Sequence, residues 1–366
     1  MIIKKAEFTS FRNIESESIS FSPGVNVIYG ENAQGKTNIL EGIYIFARGK
    51  SFRAIKDKEL ISFGKNIAYS RLEFESEGKI TTLGVEICSN KPKHFYRNNI
   101  KMQRTSDIIG EFRSVLFCPL HLGIISDSPS VRRSFLDVAI SQLRPVYIRM
   151  LSKYNNYIMN RNAILKKEEA YEGKLDDLID VYSEQLSELS ADISVIRKEY
   201  IEKLDKWVRI FFEEMTNGRE LPTIRYDADH SLKNDAEREE IKQKYLTLYH
   251  ENKERELKYG ATLYGIHKDD MKIEINGRDA RLFASQGQQR SLALAMKMAE
   301  GEISKEATGE YPVFLLDDVL SELDEKRRKY ILSSIDKRQV IITTCEPTMF
   351  NIESEGFIRI KEGKRV

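Results

Sequence analysis

Polar and apolar residues alternate at the start of the chain. IIKKAEFTSF and ESISF carry the period of two that marks strands with one buried face, and VNVIYG is an apolar run closed by a glycine. The period then lengthens. In KTNILEGIYIFARG, Ile39, Ile43 and Phe46 fall on one side of a helix, and Gly49 stands just past its end. Alternation returns in YSRLEFESEGKITTLGVEICS and KHFYRNNIKM, with Glu77-Gly78 and Asn98-Asn99 as turns, which predicts a β-meander.

From about Pro129 to residue 256 the spacing is helical, apart from a break at MTNGRELPTIRYDADH. Between Lys174 and Met215 there is no proline or glycine, and Leu178, Tyr182, Leu186, Leu189, Ile193 and Ile196 recur at steps of three and four. This predicts one long amphipathic helix, well beyond the usual length of about 11–12 residues. Heptads fit for only a few turns, so the pattern favours a compact helical subdomain over a coiled-coil arm. After Tyr259 strands return in GATLYGI, MKIEING, YPVFLLDDV, RQVIITTC and GFIRI, with helices from Gln286 and from about Ser321. The outline is an α/β fold whose sheet domain comes in two pieces, 1–120 and 259–366, around a helical insertion at 121–258.

Composition narrows the partners. The chain has 366 residues, 41% of them hydrophobic, enough to bury the core of about two domains. Lys and Arg total 58 against 57 Asp and Glu, so any nucleic-acid surface must be a local patch on a neutral body. Cys88, Cys118 and Cys345 lie far apart without a CxxC pair, and the five histidines form no ligand spacing, which predicts reduced thiols and no structural zinc. The start MIIKKAEFTSFRN lacks the apolar centre of a signal peptide, and no apolar run approaches the roughly 20 residues of a membrane span. A cytoplasmic location with no membrane partner is expected.

Two motifs carry chemistry. GENAQGKT, Gly30 to Thr37, fits G-x-x-x-x-G-K-[ST] between a strand and a helix. Its glycines let several N–H groups face one point, backed by the positive end of a helix dipole. Lys36 would reach the β- and γ-phosphates of ATP, and the Thr37 hydroxyl would ligate Mg²⁺. In VFLLDDVLSELD an apolar strand ends at Asp317 and Asp318, where ligands gather in open α/β sheets. Asp317 would hold Mg²⁺ through water. Asp318 would orient or deprotonate the attacking water, or else would merely begin a turn. Ser321 to Asp324 also fits a capping box.

A further helix start is unusual. Ser285-x-x-Gln288 in FASQGQQRSLALAMKMAE is another capping box, and Gly287 costs a helix roughly 1 kcal/mol relative to alanine. Close approach of a ligand to the backbone would offset that cost, and the geometry is that of a second anion site. With a P-loop already present, this points to a site completed by another copy of the chain.

The motif SQGQQR resembles the signature of ABC-type ATPases. With GENAQGKTN, LLDDVLSELD and FTSFRNIES it is similar to the branch holding SMC and RecF proteins. GENAQGKTNILEGIYIFARGKSFR, RRSFLDVAISQLRPVY, NRNAIL, YGIHKDDMKIEINGRDARLFASQGQQRSLALAMKMAE and LLDDVLSELDEKRR resemble the RecF family over most of the chain. The resemblance implies an ABC-type ATPase head with a mixed sheet and a β-meander subdomain, plus an inserted helical arm domain. ATP would lie on Gly30, Glu31, Asn32, Ala33, Gln34, Gly35, Lys36, Thr37 and Asn38 and meet Ser285, Gly287 and Gln288 of a partner protomer. Ser321 and Asp324 would belong to the D-loop. An ATP-dependent homodimer would act on double-stranded or gapped DNA, work with RecR and RecO to load recombinase, support the SOS response, and reset by weak ATP hydrolysis. The chain departs from the wider ABC pattern in having Asp318 where glutamate is usual. Thr344 or Cys345 stands near the place of a switch histidine, and FCPLHLG has no Q-loop glutamine. Arg12 and Asn13 are candidates for a nucleotide contact or for a surface turn.

For DNA the densest cation cluster is Lys91, Lys93, Arg97, Lys101 and Arg104 near the Asn98-Asn99 hairpin. A second set lies on the helical region: Arg132, Arg133, Arg144, Arg149, Lys153, Arg161, Lys166 and Lys167. No base-reading motif is present, so binding by DNA structure is expected. Two rival functions are the nucleotide-binding subunit of an ABC transporter and an ATP-coupled nuclease. The long helical insertion and the missing switch histidine stand against the first, and the absence of a further metal-ligand cluster in the sequence stands against the second.

Overall fold

The computed structural model describes residues 1–166, 175–228, 237–334, 338–347 and 356–366. Its centre is a sheet with the strand order Lys364–Arg365, Phe357–Lys361, Val25–Tyr29, Val340–Thr344, Val313–Asp317, Ser114–Phe117. The last five strands run parallel, and the first folds back as a hairpin. The sheet therefore joins residues from both ends of the chain across the helical segment.

These strands are nearly continuous apolar runs because both faces are covered. Successive side chains point to opposite faces, and the two faces feed two different cores. Ile28, Leu116, Leu315 and Ile341 enter one core, and Val27, Phe117, Phe314, Leu316 and Ile342 the other. The first core lies under the helix Lys36–Arg48 and an antiparallel sheet ordered Ile14–Ser20, Ile2–Phe11, Ile67–Ser76, Lys79–Cys88, His94–Arg97, Ile100–Lys101. Both expected meander turns have positive φ at their two central residues: 51° and 71° at Glu77 and Gly78, 48° and 67° at Asn98 and Asn99. That backbone twist matches paired antiparallel strands.

The second core lies under the helix Gln286–Thr308. Each helix meets an aromatic ring at a glycine. A Cβ on Gly42 would lie 2.4 Å from the Phe8 ring, and one on Gly301 would lie 2.3 Å from the Phe314 ring. Any side chain there would push the helix off its sheet.

The helical region shares this second core. Ile193, Tyr200, Leu204, Val208 and Phe212 of the 42-residue helix Leu175–Thr216 are buried in one cluster with Leu292 and Met296. The long helix thus lies along the head. The break in the helical pattern contains the strand Pro222–Asp227, which pairs with Asp270–Ile275, and that strand pairs in turn with Arg278–Asp279. Residues 229 and 230 of the break lie outside the described residues, as does Lys167.

Two expectations fail locally. GATLYGI is no strand: the Thr262 N–H donates to Asn162 Oδ1 (2.7 Å) and the Leu263 N–H to Glu256 Oε1 (2.8 Å), so side chains take donors that a ladder would need. The helix expected at Ser321 begins instead at Glu325. Asp324 caps it by accepting from the Arg327 N–H (2.9 Å), while the Ser321 hydroxyl donates to Asp318 O (2.6 Å).

Candidate nucleotide site

Strand Val25–Tyr29 ends in the loop Gly30–Gly35, and the helix begins at Lys36. Gly30 has φ 155°, and a Cβ there would lie 2.2 Å from the Ile360 carbonyl oxygen on the neighbouring strand. Gly35 is the N-cap in the left-handed region (φ 106°), with no side chain capping the helix. The first N–H groups of this helix are therefore left to a ligand, and the dipole favours an anion. The Asn13 side chain packs against Gly35 and accepts from Asn38 Nδ2 (2.8 Å). The Arg12 guanidinium grips Glu41 of the same helix at 2.8 and 2.9 Å. Both residues brace the loop from behind. The Glu362 N–H reaches Gln34 Oε1, and the Gly363 N–H reaches Gln34 O at 2.9 Å.

Lys36 is buried. Its ammonium donates to Gly30 O and Glu31 O, both at 2.8 Å, and lies 3.3 Å from Cys345 Sγ. The Cys345 thiol also donates to Asn32 Oδ1 (2.9 Å). Cys345, one of the two residues near the expected switch position, thus adjoins the P-loop lysine.

Asp317 ends its strand with 6% exposure. Its Oδ1 accepts from Thr37 Oγ1 (2.7 Å) and Thr343 Oγ1 (2.8 Å). Burial pushes the carboxyl above its usual range, and the two hydroxyls pull it back. A threonine hydroxyl and a buried carboxylate side by side are hard oxygen donors, the set that suits Mg²⁺ completed by phosphate and water. Among the described residues no group of three or more His, Cys, Asp or Glu is arranged to hold a metal. Asp318 leaves the strand with φ 50°, its N–H donating to Thr343 Oγ1 (3.0 Å). This turn takes the Asp318 side chain out of the strand's alternation.

The second helix start is built differently. Ser285 caps Gln286–Thr308: Gln288 N–H donates to Ser285 Oγ (3.3 Å) and Ser285 N–H to Gln288 Oε1 (2.7 Å). Gln288 Nε2 also donates to Glu220 Oε1 (2.6 Å). Arg327 reaches Gly287 O (2.9 Å) and Ser291 Oγ (2.7 Å), and it pairs with Asp324. A Cβ on Gly287 would come within 3.3 Å of that guanidinium. Within the chain, then, the close neighbour of Gly287 is Arg327. No sequence pattern marks Arg327 or Glu220. Ser285 itself is exposed, as are Leu282 and Phe283 just before it.

The cation clusters divide. Lys93 is buried against Asp57 (2.7 Å), and Arg97 pairs with Glu111 (3.2 Å). Lys91, Lys101 and Arg104 are exposed. Arg161 is fully buried against Glu256 (2.6 Å), Arg132 pairs with Asp270 (2.7 Å), and Arg144 pairs with Glu199 (2.7 Å).

A family model described as the RecF/RecN/SMC N terminal domain matches residues 2–365. The DNA replication and repair protein RecF of Geobacillus thermodenitrificans is 40% identical over 346 residues, covering 94% of this chain and 92% of its own. The chain belongs to the RecF family. The RecF of Clostridium botulinum strain Loch Maree is 41% identical over 343 residues, with the same coverage of 94% and 92%. A solved RecF-ATP structure of the recombination mediator in the RecFOR pathway superimposes with TM-score 0.93 at 37% identity, covering 100% of this chain and 97% of that one. The Smc head domain of Pyrococcus furiosus superimposes with TM-score 0.56 at 17% identity, over 100% of this chain and 95% of that one, a likeness of fold. The RecF-family fold here is an ABC-type ATPase head, with the antiparallel meander on one face of its parallel sheet and the helical segment on the other.

Proposed function

We propose that this chain is an ATP-gated DNA-binding protein of recombinational repair and replication. Two copies close head to head around ATP, so that residues Gly30 to Asn38 of one copy face Ser285, Gly287 and Gln288 of the other. The observation that carries this is a pair of unlike helix starts in one chain. One is uncapped beside a buried lysine and an Asp–Thr oxygen pair, and the other is self-capped by a serine at the edge of the surface. The first binds the phosphates of its own ATP. The second offers a hydroxyl and a helix dipole to the γ-phosphate of a partner.

Lys36 turns from the loop carbonyls to the β- and γ-phosphates. Thr37 and Asp317 supply the oxygens that hold Mg²⁺, which when bound neutralises charge on those phosphates. Asp318 orients the attacking water and accepts its proton. One methylene shorter than glutamate, it makes hydrolysis slow, which suits a switch. Ser321 and Asp324 lie between this carboxylate and the signature helix. Through Arg327, Asp324 links the state of one ATP site to the helix start that serves the other.

The division into a head at 1–120 and 259–366 and an arm at 121–258 is part of the same proposal. So are duplex or gapped DNA as substrate, DNA-stimulated hydrolysis, RecR with RecO as partners, and a cytoplasmic location. Among the described residues no helix is long and apolar enough to cross a membrane. Of the first cation cluster, Lys91, Lys101 and Arg104 remain open to phosphate, while Lys93 and Arg97 are neutralised by carboxylates. The direct test is DNA binding with ATP, ADP or no nucleotide, on duplex, single-stranded and gapped substrates. Tightest binding to duplex-containing substrates with ATP is expected. Binding indifferent to nucleotide would contradict the gating.

A further inference from the structure

Where the P-loop helix ends, it meets the helices Pro129–Leu143 and Pro145–Leu165. The meeting leaves a cleft of about 930 Å³. Six cations line it: Arg48 and Lys50 at the end of the P-loop helix, Arg104 before a short 3-10 turn, Arg133 on Pro129–Leu143, and Arg149 and Lys153 on Pro145–Leu165. The single acid in the lining among the described residues, Asp137, is already engaged, accepting from Tyr147 Oη (2.6 Å) and Arg197 (2.9 Å). None of the six cations is ion-paired within the described residues. Arg133 donates to the Asp269 carbonyl (2.8 Å), and Lys153 lies 5.4 Å from the centre of the Tyr157 ring.

Six unpaired cations facing one cleft repel one another, on a chain whose net charge is only +1. A polyanion relieves that repulsion. Ser134, Asn155 and Asn156 stand among the cations and supply neutral donors of the kind phosphate oxygens accept. Among the described residues no aromatic side chain lines the cleft, and none of them offers a platform on which single-stranded bases would stack.

We propose that this cleft is the track for the sugar-phosphate backbone of duplex DNA. The assignment rests on the DNA-binding function proposed for the chain and gives it a place. Two of the cations, Arg48 and Lys50, sit at the end of the helix whose other end holds the nucleotide phosphates, so the DNA site and the ATP site share one rigid element. Segments far apart in sequence build the cleft, which is why neither linear cluster outlined it.

The test uses the full chain with Lys50→Gln, Arg149→Gln and Lys153→Gln combined, all exposed positions. Binding of a short labelled duplex is measured by anisotropy across a salt series with a slowly hydrolysed ATP analogue. Wild-type affinity falls linearly in log–log form, and the slope shrinks by about one for each phosphate the protein no longer neutralises. The triple variant is expected to bind at least ~10-fold more weakly at fixed salt with a slope smaller by about two to three, while analogue affinity is unchanged. Lys244→Gln with Lys258→Gln, exposed on the arm away from the cleft, is expected to keep the wild-type slope. An unchanged slope and affinity in the triple variant would overturn the assignment while leaving DNA binding intact. Selective loss of single-stranded binding, or equal wild-type affinity for poly-glutamate, would overturn it in favour of another ligand. If the wild-type chain binds no duplex at all, the DNA-binding function itself falls.

Discussion

Two helix starts in the molecule are built on opposite plans. At Lys36 the cap is a left-handed glycine with no side chain to satisfy the helix, and the loop is held from behind by Asn13, Arg12 and the Ile360 strand. At Ser285 the helix satisfies itself through a reciprocal capping box, and Arg327 fastens it from the side. An uncapped start has free N–H groups and needs a ligand to complete it. A capped start is stable alone and adds to a site assembled elsewhere. In the proposed function, this difference separates a site that binds ATP within one chain from a surface that completes the site of another.

Lys36→Met has the largest expected effect. It removes charge-assisted hydrogen bonds worth about 1.5–3 kcal/mol each, so nucleotide affinity should fall by roughly 100-fold or more, and nucleotide-dependent dimers should disappear. Isothermal titration with ATP measures the first effect, and unchanged affinity would remove Lys36 from the site. Asp318→Asn acts later in the cycle. Binding and dimerisation should persist while hydrolysis drops roughly 10²–10⁴-fold, read as phosphate release under single turnover. A rate equal to wild type would mean that Asp318 only shapes the turn.

Arg327→Gln sharpens the other side. It unfastens the signature helix from Asp324, so dimer affinity with a slowly hydrolysed analogue should weaken about 10-fold, near 1.4 kcal/mol, with nucleotide binding by the monomer intact. Equal loss of both would make Arg327 a general stability residue. The smallest effect concerns Asp317→Asn. Burial raises the folded carboxyl above its unfolded value, so the ionised form costs stability at neutral pH, and this cost fades as pH falls through the carboxylate range. Asparagine keeps an acceptor for Thr37 and Thr343 without the charge. Without nucleotide, the variant should therefore melt at the wild-type temperature or about 1–3 °C above it at pH 7, and the two should converge near about pH 4. A variant markedly less stable at pH 7 would contradict the desolvation of this carboxylate.

The two starts also differ in how much of them can be read from sequence. The P-loop is contiguous, so strand, loop and helix announce it together, and Asp317 follows from an apolar strand ending in acid. Ser285 is equally legible, because a capping box is local. What encloses the second start is not. Arg327 is one of several cations in DEKRRK, and only the fold brings it to Gly287. Gly287 invites a close-approaching group, and within the chain that group is this same arginine. GATLYGI has the composition of a strand, yet side chains of Asn162 and Glu256 take its N–H groups. The cation cluster around Asn98 is legible as charge but not as surface. Lys93, just before the strand His94–Arg97, turns inward to Asp57, and the cations of the cleft come together from separate elements.

The central claim is that Ser285 serves a partner's ATP rather than its own. Sedimentation velocity of Ser285→Arg with and without a slowly hydrolysed ATP analogue tests it most directly, with analogue affinity titrated alongside. Expected are wild-type affinity for the analogue and a chain that stays monomeric with it, where the wild type dimerises. A variant that dimerises normally, or one that loses the analogue as Lys36→Met does, would contradict it.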